Sequence, residues 1–171
     1  EDDSSKTETG KTEEKKEEKQ TPPSPVVPTA TSDKYTLGES ITGVSSGTTA
    51  SALLEGLTIA NGNAKVFDAS GNEIASDSLA STNVGTGATV KVYDSDGVEK
   101  LRYYVIIRGD NNGDGKVNSA DALRTQRHSV GTLALSGPSL TASDINGDGK
   151  YNSADALLMQ RFSVGTYSIS W

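Results

Sequence analysis

From residue 88 to 93 apolar positions alternate with others at strand period, Ala88, Val90 and Val92 against Thr89, Lys91 and Tyr93. Asp94-Ser95-Asp96-Gly97 then reads as a turn, and Leu101-Arg102-Tyr103-Tyr104-Val105-Ile106-Ile107 as a second strong strand, so the two runs predict a hairpin. A shorter strand at 64–68 precedes another turn at Ser70-Gly71-Asn72, and residues 48–57 have the pattern of a short capped helix. Residues 34–107 are therefore expected to form an α+β module, a small β-sheet with one short helix packed on it. Beyond residue 120 the pattern becomes helical. Residues 121–130 and 155–164 predict two helices, stopped by Gly131 and Gly165 as C-terminal caps. Each runs for about three turns, too short to be stable alone. Something must fix their N-termini.

The 171 residues are not uniform in composition. Residues 1–33 contain no aromatic side chain and consist mainly of Glu, Lys, Thr, Ser and Pro. A segment with so little to bury is expected to be a disordered, charged and proline-rich linker, extended where Pro22, Pro23, Pro25 and Pro28 follow one another. There is no cysteine, which rules out disulfides and thiolate metal sites. No run is long and apolar enough to predict a membrane span or a signal peptide, and membrane insertion is not expected. A chain that begins with Glu is expected to be a piece of a longer protein. The net charge of −7, with no basic stripe interleaved with aromatics, argues against nucleic-acid binding.

The chemistry lies in a repeat. Asp110-Asn111-Asn112-Gly113-Asp114-Gly115-Lys116-Val117-Asn118-Ser119-Ala120-Asp121 returns 34 residues later as Asp144-Ile145-Asn146-Gly147-Asp148-Gly149-Lys150-Tyr151-Asn152-Ser153-Ala154-Asp155. Oxygen-bearing side chains at positions 1, 3, 5, 9 and 12 of a 12-residue loop, with Gly at 6 for the sharp bend, form the donor pattern of a Ca²⁺ loop. The predicted ligands are Asp110, Asn112, Asp114, the Lys116 carbonyl, Asn118 and Asp121, then Asp144, Asn146, Asp148, the Lys150 carbonyl, Asn152 and Asp155. Asn118 and Asn152 are expected to act directly or through a water. Two Ca²⁺ ions with a structural role are expected, each with about seven oxygen ligands. The six acidic side chains from residue 110 onward all occupy loop positions 1, 5 or 12. A solvated surface would scatter them. Without metal, three carboxylates crowded into each loop would repel one another and leave the segment poorly folded.

A tandem loop followed by one helix, without the helix that precedes an EF-hand loop, resembles a dockerin. The resemblance rests on residues 110–131 and 144–165, identical at 17 of 22 positions, and covers roughly residues 108–171. It implies an all-α dockerin of two Ca-loop–helix repeats, in which Val117 and Tyr151 pair their backbones. Residues 34–107 resemble, more loosely, the X-modules that neighbour some dockerins. The implied function is a calcium-dependent protein–protein interaction. It would anchor a secreted polysaccharide-degrading enzyme or scaffold protein to a cohesin domain of a scaffoldin or cell-surface protein, in a cellulosome-type complex outside a bacterial cell. The family's partner contacts come from loop positions 10 and 11 and one face of the following helix. Carried over, these are Ser119, Ala120, Leu123 and Arg127, and Ser153, Ala154, Leu157 and Arg161, with Arg124 and Leu158 as positions that differ between repeats. Identical faces on a twofold-related module imply docking in either of two orientations. From Arg108 onward six Lys and Arg side chains match the six carboxylates, so two Ca²⁺ would leave a positive surface suited to an acidic partner.

Other functions fit less well. Catalysis is not expected, since the single His, His128, sits on a repeat helix and no paired carboxylates suggest a cleft; the parent protein is where a glycoside hydrolase would lie. A calcium sensor would use complete helix–loop–helix units and usually Glu at position 12. Arg108-Gly109-Asp110 has the form of an adhesion tripeptide, but Asp110 is needed as loop position 1. The alternative is an extracellular, calcium-stabilised carbohydrate-binding or spacer region of a glycoside hydrolase, with Tyr35, Phe67, Tyr93, Tyr103 and Tyr104 as the aromatic candidates. Ile169 and Trp171 are expected to pack near residues 107–110 and clasp the ends of the calcium module.

Overall fold

The structure is a computed structural model and describes residues 26–171. Most of the expected linker, including the charged run 13–19, lies outside them. Its last part is not linker. Strand β1 (Thr29–Thr31) pairs antiparallel with β4 (Thr58–Ala60), Ala30 opposite Ile59. The boundary moves because Pro28 is buried beside Gly62, which anchors the chain before residue 34, and because β-branched Thr29 and Thr31 suit a strand.

The remaining strands form one five-stranded sheet in the order β2-β3-β7-β6-β5, with β2 (Thr36–Leu37), β3 (Ser40–Thr42), β5 (Asn63–Phe67), β6 (Thr89–Tyr93) and β7 (Glu99–Val105). All neighbours are antiparallel except β3 and β7. The hairpin read from the alternation is β6–β7, with Val90 opposite Tyr103 and Lys91 opposite Arg102. Its turn is held by Asp94, whose Oδ1 accepts the N–H groups of Asp96 and Val98. Val66, Val90 and Tyr103 line the core face, while Lys65, Lys91 and Arg102 share the outer face.

Helix α1 (Ala50–Glu55) starts where Thr49 caps the Ala52 N–H and buries Ala50 and Leu53 against the sheet. Full burial of Leu53 contributes about 1.5–3 kcal/mol. The α+β expectation for this part holds: a sheet with one short helix on it.

After Ile106 and Ile107, both buried, the chain enters the repeats. They carry helices α2 (Ser119–Ser129) and α4 (Ser153–Ser163), which pack on each other through the equivalent Ala122 and Ala156, both fully buried. A third helix, α3 (Gly137–Ala142), lies between them and was not anticipated. It is a turn and a half in which only Ala142 is fully buried, too short for a helical period to emerge. One hydrophobic cluster runs through both parts, from Ile41, Val44, Val84 and Ile107 to Val117, Ile145, Ala156 and Met159.

Candidate metal centre and docking face

Each 12-residue loop curls around its first carboxylate. Asp110 Oδ1 accepts the N–H groups of Gly113 and Asp114 at 2.8 and 3.2 Å, and Oδ2 that of Gly115 at 3.0 Å. Asp144 repeats this with Gly147, Asp148 and Gly149 at 2.8, 3.1 and 3.0 Å. The last carboxylate closes the loop from the helix side. Asp121 accepts from Asn111, Asn112 and Asn118, and Asp155 from Ile145, Asn146 and Asn152. Both belong to capping boxes: Asn118 and Asn152 cap α2 and α4, and the carboxylate three residues on returns to the cap's N–H. Loop and helix are thus one hydrogen-bonded unit, which supplies the anchor that the short helices need.

The donor set is oxygen throughout, suited to a hard cation. Asp110, Asp121 and Asp155 are fully buried, yet among the described residues the ion pairs join Lys65 to Glu73, Lys91 and Arg102 to Glu99, and Lys100 to Asp94. None reaches a loop carboxylate. Burial pushes Asp121 up from 3.8 to about 6, against the lowering by its N–H donors and helped by the Asp110 charge. Burial raises Asp110 too, against the N–H groups of Thr86, Gly115 and Gly113 and with the Asp114 charge adding to it. Buried carboxylates with no cation beside them are costly as anions, and a divalent ion supplies the missing charge. The residues fit calcium. Among the described residues, however, no three acidic side chains converge as a ready-made cluster, and oxygens of Asp110, Asp121, Asp144 and Asp155 accept backbone N–H groups.

The predicted sites separate into groups. Asn112 and Asp114 stand at the exposed rim, hydrogen-bonded to each other, as do Asn146 and Asp148. Lys116 and Lys150 are exposed at position 7. Asn118 and Asn152 spend their side-chain oxygens on the caps, accepting from Ala120 and Ala154 at 2.8 Å. The expected backbone pairing of Val117 with Tyr151 does not form. The Val117 N–H donates instead to Ser46 Oγ at 3.2 Å, because the β-rich unit occupies that side of the first loop. The Tyr151 ring meets His128 edge-on.

On the opposite side, Ser119, Ala120, Leu123 and Arg127 are exposed, as are Ser153, Ala154, Leu157 and Arg161. Leu123 and Leu157 keep 53% and 55% of their surface, a near-equality expected of identical faces. Arg124 and Leu158 differ from these. Arg124 is half-buried and donates from Nε to Asn111 Oδ1 at 3.2 Å, and Leu158 packs against the core.

Sequence reasoning missed Asn111. It is fully buried, and its Nδ2 donates to the Asp121 carbonyl, Thr125 Oγ1 and Ser143 Oγ. The signal was there: an Asn facing an Ile at position 2 of otherwise near-identical loops.

Residues 108–162 match the family model described as the dockerin type I domain. This segment is a dockerin domain. No curated protein and no solved structure matches the chain. Dockerins of this type bind calcium and dock onto cohesin domains in cellulosome-type assemblies, and they are interaction modules without catalysis of their own. Among the described residues no helix is long and apolar enough to cross a membrane.

Proposed function

We propose that each loop of this dockerin holds one Ca²⁺, two in all. The holders would be Asp110, Asn112, Asp114, Lys116 through its carbonyl, and Asp121 in the first, with Asp144, Asn146, Asp148, Lys150 through its carbonyl, and Asp155 in the second. Asn118 and Asn152, committed to the helix caps, would support the ion through water. The observation that carries this reading is the matching set of loop N–H bonds to Asp110 and Asp144, closed by the buried Asp121 and Asp155, with no cationic partner on any of the four among the described residues. Bound calcium neutralises those charges and holds the loop closed. The chain's own capping boxes then pass that order to α2 and α4.

The ordered helices present Leu123 with Arg127, or Leu157 with Arg161, to an acidic cohesin surface. The chain thereby anchors a secreted polysaccharide-degrading enzyme or scaffold protein to a cohesin-bearing scaffoldin or cell-surface protein outside the cell. The described residues before 108 serve as an X-module-like spacer. That role is favoured over carbohydrate binding because Tyr35 and Phe67 are buried and Tyr103 packs on the core, with Tyr104 the exposed member of the five candidates.

Calorimetric titration against a panel of cohesin domains, with calcium and with chelator, tests the proposal. Binding to at least one cohesin in calcium and none in chelator is the expected result. Binding that persists in chelator would refute it. Asp110→Ala with Asp144→Ala should abolish binding together with the helicity of α2 and α4.

A further inference from the structure

The two loops match in sequence but not in surroundings. Asp110 is fully buried, whereas Asp144 is only half-buried. Asp110 Oδ2 accepts a fourth N–H, at 2.9 Å, from Thr86 in the segment leading into β6. The second loop has no counterpart. Thr86 is itself pinned, since its hydroxyl accepts from the Ile107 N–H and donates to the Ile107 carbonyl. A second segment grips the far side of the loop. Gly47 N–H donates to the Gly115 carbonyl at 2.8 Å, and Ser46 Oγ donates to that carbonyl at 3.3 Å while accepting from Val117.

Backbone lies directly on backbone here. A Cβ on Gly85 would overlap the Gly113 carbonyl, one on Gly113 would press on the Thr86 carbonyl, and one on Gly115 would overlap the Val84 carbonyl. At Gly147 and Gly149 of the second loop a Cβ would meet nothing within 4 Å. The first loop is moulded by residues 46–47 and 84–86, whereas residues 146–150 of the second are exposed.

We propose that the β-rich unit is a working part of the first calcium site. Thr86, Gly85, Ser46 and Gly47 are positioning residues that hold residues 110–121 in their closed shape before the ion arrives. The second loop must order itself on binding. The two sites therefore differ in calcium affinity, the first being the tighter, although their predicted ligands are identical. Groups that orient a metal ligand typically change affinity by about 10–100-fold when removed. The inference rests on the reading that each loop holds one Ca²⁺.

The test uses the full 171-residue chain, stripped with chelator and titrated with calcium while the amide resonances of Gly115 and Gly149 are followed separately. Gly115 should respond at a calcium concentration lower by about tenfold or more. Gly85 is not in the left-handed region, so Gly85→Ala adds no backbone strain and acts only by pushing on loop one. It should raise the Gly115 midpoint by about 10–100-fold and leave the Gly149 midpoint in place. Ser46→Ala should move the Gly115 midpoint in the same direction by less, and it decides the matter if Gly85→Ala fails to fold. Two amides that titrate together in the parent chain would overturn the inference, as would variants that shift neither midpoint or both equally. If neither amide responds to calcium, the two-ion reading falls and the inference falls with it.

Discussion

The guanidinium of Arg108 lies over the indole of Trp171, 4.5 Å from the ring centroid, and its Nη1 donates to the Ser170 carbonyl at 2.7 Å. The entry to the first calcium loop and the end of the described chain are thereby joined. Ile169 and Trp171 also wall a cavity of about 120 Å³ with Val44, Val117 and Phe162, so the tail shares that cavity with the β-rich unit, the first loop and α4. This is the clasp that the sequence led us to expect. An exposed cation–π contact contributes about 0.5–1 kcal/mol. With the apolar contacts of Ile169 added, truncation after Tyr167 should lower the melting temperature in saturating calcium by about 2–6 °C. Arg108→Ala should reproduce part of that loss. An unchanged melting temperature on truncation would mean that the contacts hold nothing.

Asn111 is the second test. The two hydrogens of its buried Nδ2 are shared among three acceptors, and its Oδ1 takes a bond from the half-buried Arg124. Asn111→Ile, which copies the residue of the second loop, takes the amide donor from Thr125 Oγ1 and Ser143 Oγ and the acceptor from Arg124 Nε. Each buried group left unpaired costs about 1–3 kcal/mol. Replacing both partners by apolar groups is far cheaper, so adding Thr125→Val should recover part of the loss. Denaturant unfolding in calcium measures both variants. A double variant no more stable than Asn111→Ile alone would show that the network does not act as a unit.

The elements with a full period were legible. The alternation over 88–93 gave β6, the β-prone run after it gave β7, and Thr49 before an apolar turn gave α1. The two 12-residue loops were legible because they recur almost unchanged 34 residues apart. What escaped has no periodic trace. The β1–β4 and β3–β7 pairings join segments far apart in sequence, and α3 is shorter than two turns. The seating of Gly85 on Gly113 is a backbone contact that glycine permits but does not announce. The bond from Arg124 to a buried amide also left no trace, because the sequence shows only a charge on a helix.

Calcium removal should reverse the pH dependence of stability. In chelator, the folded-state pKa of Asp121 is raised to about 6 from its ordinary 3.8, and that of Asp110 is raised as well. The folded chain then binds more protons than the unfolded one between about pH 4 and 6. The stabilisation is full below the unfolded pKa and is lost as pH rises through the folded one. Melting temperature in chelator should therefore fall from pH 4 to pH 6 and level off above. In saturating calcium the carboxylates must be anions, so acid competes with the metal and stability should rise over the same interval. Slopes of the same sign in both conditions would contradict the burial of these carboxylates.

The last prediction concerns the twin faces. Arg127 and Arg161 occupy equivalent exposed positions beside Leu123 and Leu157, and Val130 and Val164 each keep 72% of their surface. Suppose the partner can dock on either face with equal strength. Loss of one arginine then removes one of two equivalent modes and weakens binding by only about twofold. Loss of both removes the anchor from each mode, and an interface arginine of hot-spot rank costs about 2 kcal/mol or more, a Kd rise of about 30-fold. Arg127→Ala and Arg161→Ala should thus be nearly silent alone and severe together, with calcium affinity and helicity unchanged in all three. Calorimetry against a cohesin that binds the parent chain measures this. If Arg127→Ala alone were as damaging as the double variant, docking would run through α2 in a single orientation. The β-rich unit seated on the first loop would then supply an asymmetry to select it, beside the difference between Arg124 and Leu158.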